Sequence, residues 1–191
     1  MTQPIGDHPT PSFRSFDEAT ADEVRAIDEI EARYAREGLA DRVLAAVQAL
    51  ATLEDGYPVD RFVHSLQTAT RAMRDGADTD MIVGALIHDI GDHLAPFDHG
   101  SYAAAALRPY VRDEVTWVVE QHVVFQRYHY AHHVGGDRHA RERYRGHPHF
   151  DACVRFCADW DQASFDPDYD HEPLATFAPL VREVFGRPPG R

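Results

Sequence analysis

The run Met81-Ile82-Val83-Gly84-Ala85-Leu86-Ile87 is apolar on every face and stops at His88-Asp89. A helix with no polar face has to be buried, so the fold must wrap other elements around it. Its His-Asp end is then delivered to the interior, where a charged group needs a partner. A cation shared by the imidazole and the adjacent carboxylate would satisfy both groups; a helix end with ordinary polar caps is the alternative. The run is also far short of the roughly 20 apolar residues that cross a membrane.

The rest of the chain reads as helices of compatible length. Asp17 to Arg36 places Val24, Ile27, Ile30 and Tyr34 at three- and four-residue spacing, and a second helix over 39–53 carries Val43, Leu44, Val47 and Leu50. Helices follow at about 60–75, 79–91, 99–108, 112–133, 138–145, 148–164 and 173–186, punctuated by Gly76, Gly91, Pro96, Pro109, Gly135-Gly136, Pro148 and Pro167. No stretch alternates as a strand does. The expected class is therefore all-α, with a flexible arm over 1–16 around Pro4, Pro9 and Pro11 and a single compact helical domain over 17–191. The charged stretch between Gly135-Gly136 and Gly146 reads as a surface flap.

Composition narrows the function. With 32 acidic and 19 basic residues the net charge is −13, which repels nucleic acid and anionic membranes. Two cysteines exclude a disulfide framework, and Cys153 and Cys157, four apart on one helix, read as core residues. The N-terminus lacks the pattern of a secretory signal, so a cytoplasmic protein is expected. The anomaly is thirteen histidines. His64 and His122 sit inside amphipathic helices, in FVHSLQ and VVEQHVVF, and His99 begins another. Asp161 lies on the helix of Phe156, Cys157 and Trp160. Helical bundles build metal sites from such inward-facing imidazoles and carboxylates, and this donor set suits iron or manganese better than a thiolate site would.

The ordered set His64…His88-Asp89…His99…His122…Asp161, with His88-Asp89-Ile90-Gly91 as an HDIG signature, resembles the HD-domain superfamily. Within it, His64-Ser65-Leu66-Gln67-Thr68-Ala69 is most similar to the mixed-valence diiron oxygenases, which include organophosphonate-cleaving oxygenases and, more distantly, myo-inositol oxygenase. The likeness runs over about residues 40–186. It implies an HD-domain bundle with a dimetal site between helices: His64, His88 and Asp161 on one iron, His99 and His122 on the other, and Asp89 bridging. It further implies an Fe(II)/Fe(III) pair that activates O2 to oxidise or cleave a small hydroxylated substrate, amine-bearing or phosphonate-like. The alternative occupant is manganese or another divalent metal. No acid or base separate from the metal pair is implied.

The chain departs from those relatives near the expected substrate. After the signature they carry His or Lys, where this chain has Asp92 and then His93. Four residues after His122, Gln126 stands where phosphonate oxygenases have a lysine, and His129 and His133 continue that helical face. Asp92, Gln126, His129 and His133 are the expected substrate contacts. Tyr57, in the turn with Glu54, is a further candidate through the gating tyrosine of some of these enzymes. His132, His139, His147 and His149 read as a solvated polar segment. Asp166-Pro167-Asp168-Tyr169-Asp170 reads as a helix-ending turn, since it lacks the glycine and terminal Glu of a calcium loop.

Two other functions compete. A metal-dependent phosphohydrolase acting on a nucleotide or other phosphate ester would use the same ligands to activate water. Weak positive charge around Asp92 and Gln126 places it second. A non-catalytic metal or ligand sensor comes third, because every expected ligand is present and no output domain is visible.

Overall fold

A computed structural model describes residues 10–53 and 56–190. All regular secondary structure among the described residues is helical, with no strand. Two units divide at Leu39 and Ala40. Residues 1–9 of the expected arm, and Glu54 of the Tyr57 turn, lie outside the described residues.

The first unit contains α1, Ala21–Arg36. Its start is a capping box: Thr20 Oγ1 accepts from the Glu23 amide, and Glu23 accepts from the Thr20 amide at 2.9 Å. The Ser12 amide donates to the other Glu23 oxygen at 2.9 Å. These backbone donors, Ser12 first and Thr20 next, hold the Glu23 carboxyl down at about 2. The helix is amphipathic as its spacing implies, yet it contains no buried residue.

The second unit is built around α4, Thr79–Ile87, which is buried from Met81 onward. Against it pack α3 (Arg61–Arg74), α6 (Asp113–Tyr130) and α8 (Leu174–Phe185). α5 (His99–Leu107) lies along α6, and α7 (Phe150–Arg155) packs against α6 as well. α2 (Leu39–Ala49) continues as a short 3-10 turn, Leu50–Thr52, that touches α3. Asp60 and Asp78 cap α3 and α4, accepting from the Val63 and Met81 amides.

Several boundaries are tighter than periodicity implies. α4 ends at Ile87, not at residue 91, and the chain goes on in turns closed by Ile90 N–H to Ile87 O and Asp92 N–H to Asp89 O. Gly91 allows this: a Cβ there would stand 2.7 Å from the Cα and carbonyl oxygen of His99. The signature glycine is therefore where the returning chain brings His99 against the end of α4. After α7 the helix widens into a π-turn, Phe156–Asp161, an interruption common at functional sites. The expected flap lies at the surface, with Asp137, His139, Arg143 and Arg145 exposed, but two of its residues pack inward. Tyr144 lies 5.8 Å from the Trp117 ring and 6.1 Å from Phe125 on α6, and Arg141 is buried with its guanidinium on the Tyr128 ring. Aromatic packing outweighs the segment's charge.

Candidate metal centre

α3 carries an unusual load of buried polar side chains: His64, Ser65, Gln67, Thr68 and Thr70. Three of them tie down the segment that follows Asp161. The His64 Nδ1 donates to Ser164 O at 2.9 Å, the Gln67 amide donates to Asp166 O at 2.6 Å, and Thr70 Oγ1 accepts from the Glu172 amide at 3.0 Å. Satisfied polar groups of this kind specify one arrangement, because leaving any of them unpaired inside would cost about 1–3 kcal/mol. The acidic segment 166–170 is a turn, with the Asp168 amide donating to Asp166 Oδ1.

The structure brings all six predicted ligands to one place. His64, His88, Asp89, His122 and Asp161 are buried, and the His99 side chain is 14% exposed. His64 Nε2 stands 3.1 Å from His88 Nε2 and 3.3 Å from Asp161 Oδ1. His99 Nε2 stands 3.2 Å from His122 Nε2. Asp89 lies between the two pairs. Its Oδ2 is 3.3 Å from His88 Nε2 and 3.5 Å from His64 Nε2, while its Oδ1 is 3.3 Å from both His99 and His122 Nε2. One carboxylate thus presents an oxygen to each histidine pair.

The far side of every ring fixes its tautomer. The Nδ1 atoms of His64, His88 and His122 donate to the carbonyls of Ser164, Ala85 and Val119 at 2.9, 2.8 and 2.6 Å. His99 Nδ1 donates to Asp92 Oδ1 at 2.9 Å. With the Nδ1 hydrogens so committed, neutral rings turn Nε2 lone pairs at one another and at two carboxylates. Such a convergence of acceptors is repulsive unless cations or protons lie between them. The buried Asp161 Oδ2 also lacks a hydrogen-bond partner. The donor set therefore fits metal ions. Ligand atoms of His64, His88 and Asp161 lie within 4.8 Å of one another, as do those of His88, Asp89 and His122.

Titration follows burial and charge. Burial pushes His88 down to about 4, against the pull of Asp89 and Asp161. For His64, burial opposes protonation, but the hydrogen bond to Asp161 and the charges of Asp89 and Asp161 outweigh it and raise the pKa. His99 is raised likewise: burial is overcome by Asp92 and Asp89. Burial would raise Asp89 and Asp161, yet the surrounding imidazoles hold both carboxyls below their usual range, with Arg61 helping at Asp89.

A cavity of about 410 Å³ adjoins the Asp161 side, lined by Tyr57, Gln126, His129, Tyr130, His133, Gln162 and Phe165. Four of the five predicted substrate contacts are therefore on one wall system. Gln126 links it to the centre, donating from Nε2 to Asp161 Oδ1 at 2.7 Å. Phe165 links it again, stacking on His64 at 4.4 Å and on Tyr57 at 5.0 Å. Asp92 is the exception. Its carboxylate is turned to His99 and to Arg61, 3.3 Å from the Arg61 Nε, and does not line the cavity. His93 faces the other way, donating to Ala49 O at 2.7 Å. His132 and His139 are exposed; His147 stacks on Trp117 at 4.0 Å. Cys153 and Cys157 are buried with their thiols near the carbonyls of Val118 and His122.

Sequence reasoning missed Arg61, Tyr130, Gln162 and Phe165. Arg61 was within reach, since it lies three residues before His64 and so on the same side of α3. Gln162 and Phe165 follow the π-turn, whose extra residue per turn defeats helical spacing. Positive charge is also stronger than expected: Arg138 and Arg141 both lie over the Tyr128 ring, at 4.3 and 3.7 Å, next to His129.

No protein-family model matches the chain. Among curated proteins, the chain is 34% identical over 84 residues to [1-hydroxy-2-(trimethylamino)ethyl]phosphonate dioxygenase (glycine-betaine-forming) of Leisingera caerulea. The match covers 38% of this chain and 43% of that enzyme, so the chain spans less than half the length of the relative. The similarity supports an oxygenase-like function in broad terms. No helix among the described residues is long and apolar enough to cross a membrane.

Proposed function

We propose that this chain is an HD-domain diiron oxygenase that uses O2 to oxidise or cleave a small hydroxylated substrate. The observation that carries the reading is Asp89, whose two oxygens each face a pair of imidazoles with fixed tautomers. In this reading His64, His88 and Asp161 hold one iron, His99 and His122 hold the other, and Asp89 bridges. The Fe(II)/Fe(III) pair supplies the one-electron chemistry with O2 that no side chain can perform. The partial similarity to a phosphonate dioxygenase supports the same class.

The side chains define what the cavity receives. Gln126 is held by Asp161 at its amide nitrogen and keeps a carbonyl oxygen to accept from a substrate hydroxyl. The rings of Tyr57, Tyr130 and Phe165 displace water and favour an apolar or cationic group, the latter through the aromatic faces. Arg138 and Arg141, beyond His129, add a positive field for an anionic group. A substrate bearing a hydroxyl, an ammonium and a phosphonate, like that named for the relative, matches these demands. Asp92 then acts by orienting His99 rather than by touching substrate.

The phosphohydrolase reading keeps one specific support, Arg61 and its positive charge beside the bridging carboxylate. One experiment separates the two. Protein from iron-supplemented cells is assayed for metal per chain, for an EPR signal after partial reduction, and for O2 uptake with 1-hydroxyphosphonates and amino alcohols. About two irons, a coupled mixed-valent signal and substrate-dependent O2 uptake are expected. Phosphate release from nucleotides without O2 uptake would transfer the assignment to the hydrolase.

A further inference from the structure

Arg61 is mostly buried, its side chain 14% exposed, and it forks between two carboxylates. Nη1 donates to Asp89 Oδ2 at 3.0 Å, while Nε stands 3.3 Å from Asp92 Oδ2. The other Asp92 oxygen accepts from His99 Nδ1 at 2.9 Å. On the opposite side the guanidinium lies 4.5 Å from the centre of the Tyr57 ring, and Tyr57 is part of the cavity wall. One side chain thus touches the carboxylate between the histidine pairs, the carboxylate behind His99, and the wall of the cavity.

This geometry points to Arg61 as a positioning residue for the His99–His122 half of the centre, an assignment that rests on the metal-pair reading above. Held at Oδ2, Asp89 keeps Oδ1 turned to His99 and His122. Asp92 is drawn to Arg61 at its Oδ2 by charge, as an ion pair without hydrogen-bond geometry, and its Oδ1 stays on His99 Nδ1 and so aims His99 Nε2 inward. The His64–His88–Asp161 half shares the Arg61-bound Oδ2 of Asp89 but not the Asp92 arm: backbone carbonyls hold His64 and His88, whereas His99 is held by Asp92. A planar guanidinium can serve two carboxylates at once in fixed divergence, whereas an ammonium is a point charge on a flexible stem. Tyr57 packs on the outer side of the fork and limits its drift toward the cavity.

The test compares wild type, Arg61→Gln and Arg61→Lys, each stripped by chelator and titrated anaerobically with Co(II) while visible absorption is recorded. Arg74→Gln, at the far end of α3, is the control. Wild type and control should bind two ions per chain. Arg61→Gln should keep the first ion and bind the second about 10–100-fold more weakly, the usual effect of losing a group behind a metal ligand. Arg61→Lys should fall between, recovering the Asp89 contact but not the fork. If Arg61→Gln fails to fold, by circular dichroism, Arg61→Lys and Asp92→Asn carry the test, and each must weaken the second ion more than the first. Two ions at wild-type affinity in these variants, or equal weakening of both, would overturn the role of Arg61. Fewer than two ions in wild type would overturn the metal-pair reading, and Arg61's role with it.

Discussion

His64 and His88 meet Asp161 in a corner with no solvent exposure, where backbone carbonyls hold both rings. His99 reaches His122 from the edge of a turn whose Leu94 and Phe97 are exposed, and another side chain holds its ring. The difference shows what each half can tolerate. A ring anchored to backbone moves only if α3 or α4 moves, and α3 is stapled to the segment after the π-turn. A ring anchored by Asp92 shifts whenever that carboxylate does. The buried half is expected to be the tight, structural one, and the His99–His122 half the exchangeable one.

The strongest way to break this contrast is to remove what the halves share. Asp89→Ala should lower metal to less than one ion per chain and abolish O2 uptake, as read by elemental analysis and an oxygen electrode. Full retention of one ion would show that the halves are independent. Next in size is a paired substitution. His64→Ala should empty the buried half and destabilise the fold by about 1–3 kcal/mol, because Ser164 O loses its donor inside the protein. His99→Ala should leave about one ion and change the denaturation midpoint little. Urea unfolding with metal analysis checks both, and equal destabilisation would erase the contrast.

Asp92→Asn sharpens the comparison further. It should weaken only the second ion, by about 10–100-fold in a metal titration, since the neutral amide is a poorer acceptor for the His99 Nδ1 hydrogen. The smallest effect lies outside the centre. Glu23 has its folded pKa lowered to about 2 from 4.5, so its stabilisation of α1 is fully present above pH 4.5 and is lost as pH falls through about 2. Glu23→Gln should remove that acid-dependent loss of helicity, followed by circular dichroism, and leave metal content at pH 7 unchanged. A change in metal content would mean that α1 influences the centre.

How much was legible beforehand differs by level. Helix positions followed from spacing and from local breakers, and α1 shows why: its capping box lies within four residues of sequence. The six candidate ligands were legible as a pattern of inward histidines and aspartates in order. The cavity was only half legible. Gln126, His129 and Tyr130 all lie on α6, Tyr130 one turn after Gln126, but His133 joins that wall through the 3-10 turn Ala131–Val134 and Phe165 through the π-turn, whose geometry no simple periodicity encodes. Asp92 shows the limit in the other direction. Its place after the signature pointed toward substrate, but the chain leaves the helix after Ile87, and the tighter turns aim its carboxylate at His99.

By itself, then, the sequence determined the helical class, the buried apolar α4 with His88-Asp89 at its end, and which side chains could be ligands. These rest on local periodicity and on the cost of burying charge, both readable along a chain. Tertiary structure alone decided which Asp89 oxygen faces which histidine pair, that Arg61 forks between Asp89 and Asp92, and that Arg141 and Tyr144 pack onto the side chains of α6. Each of these depends on rotamers and close approaches between residues distant in sequence. Such contacts are settled by how helices pack, after the local preferences of each have been met.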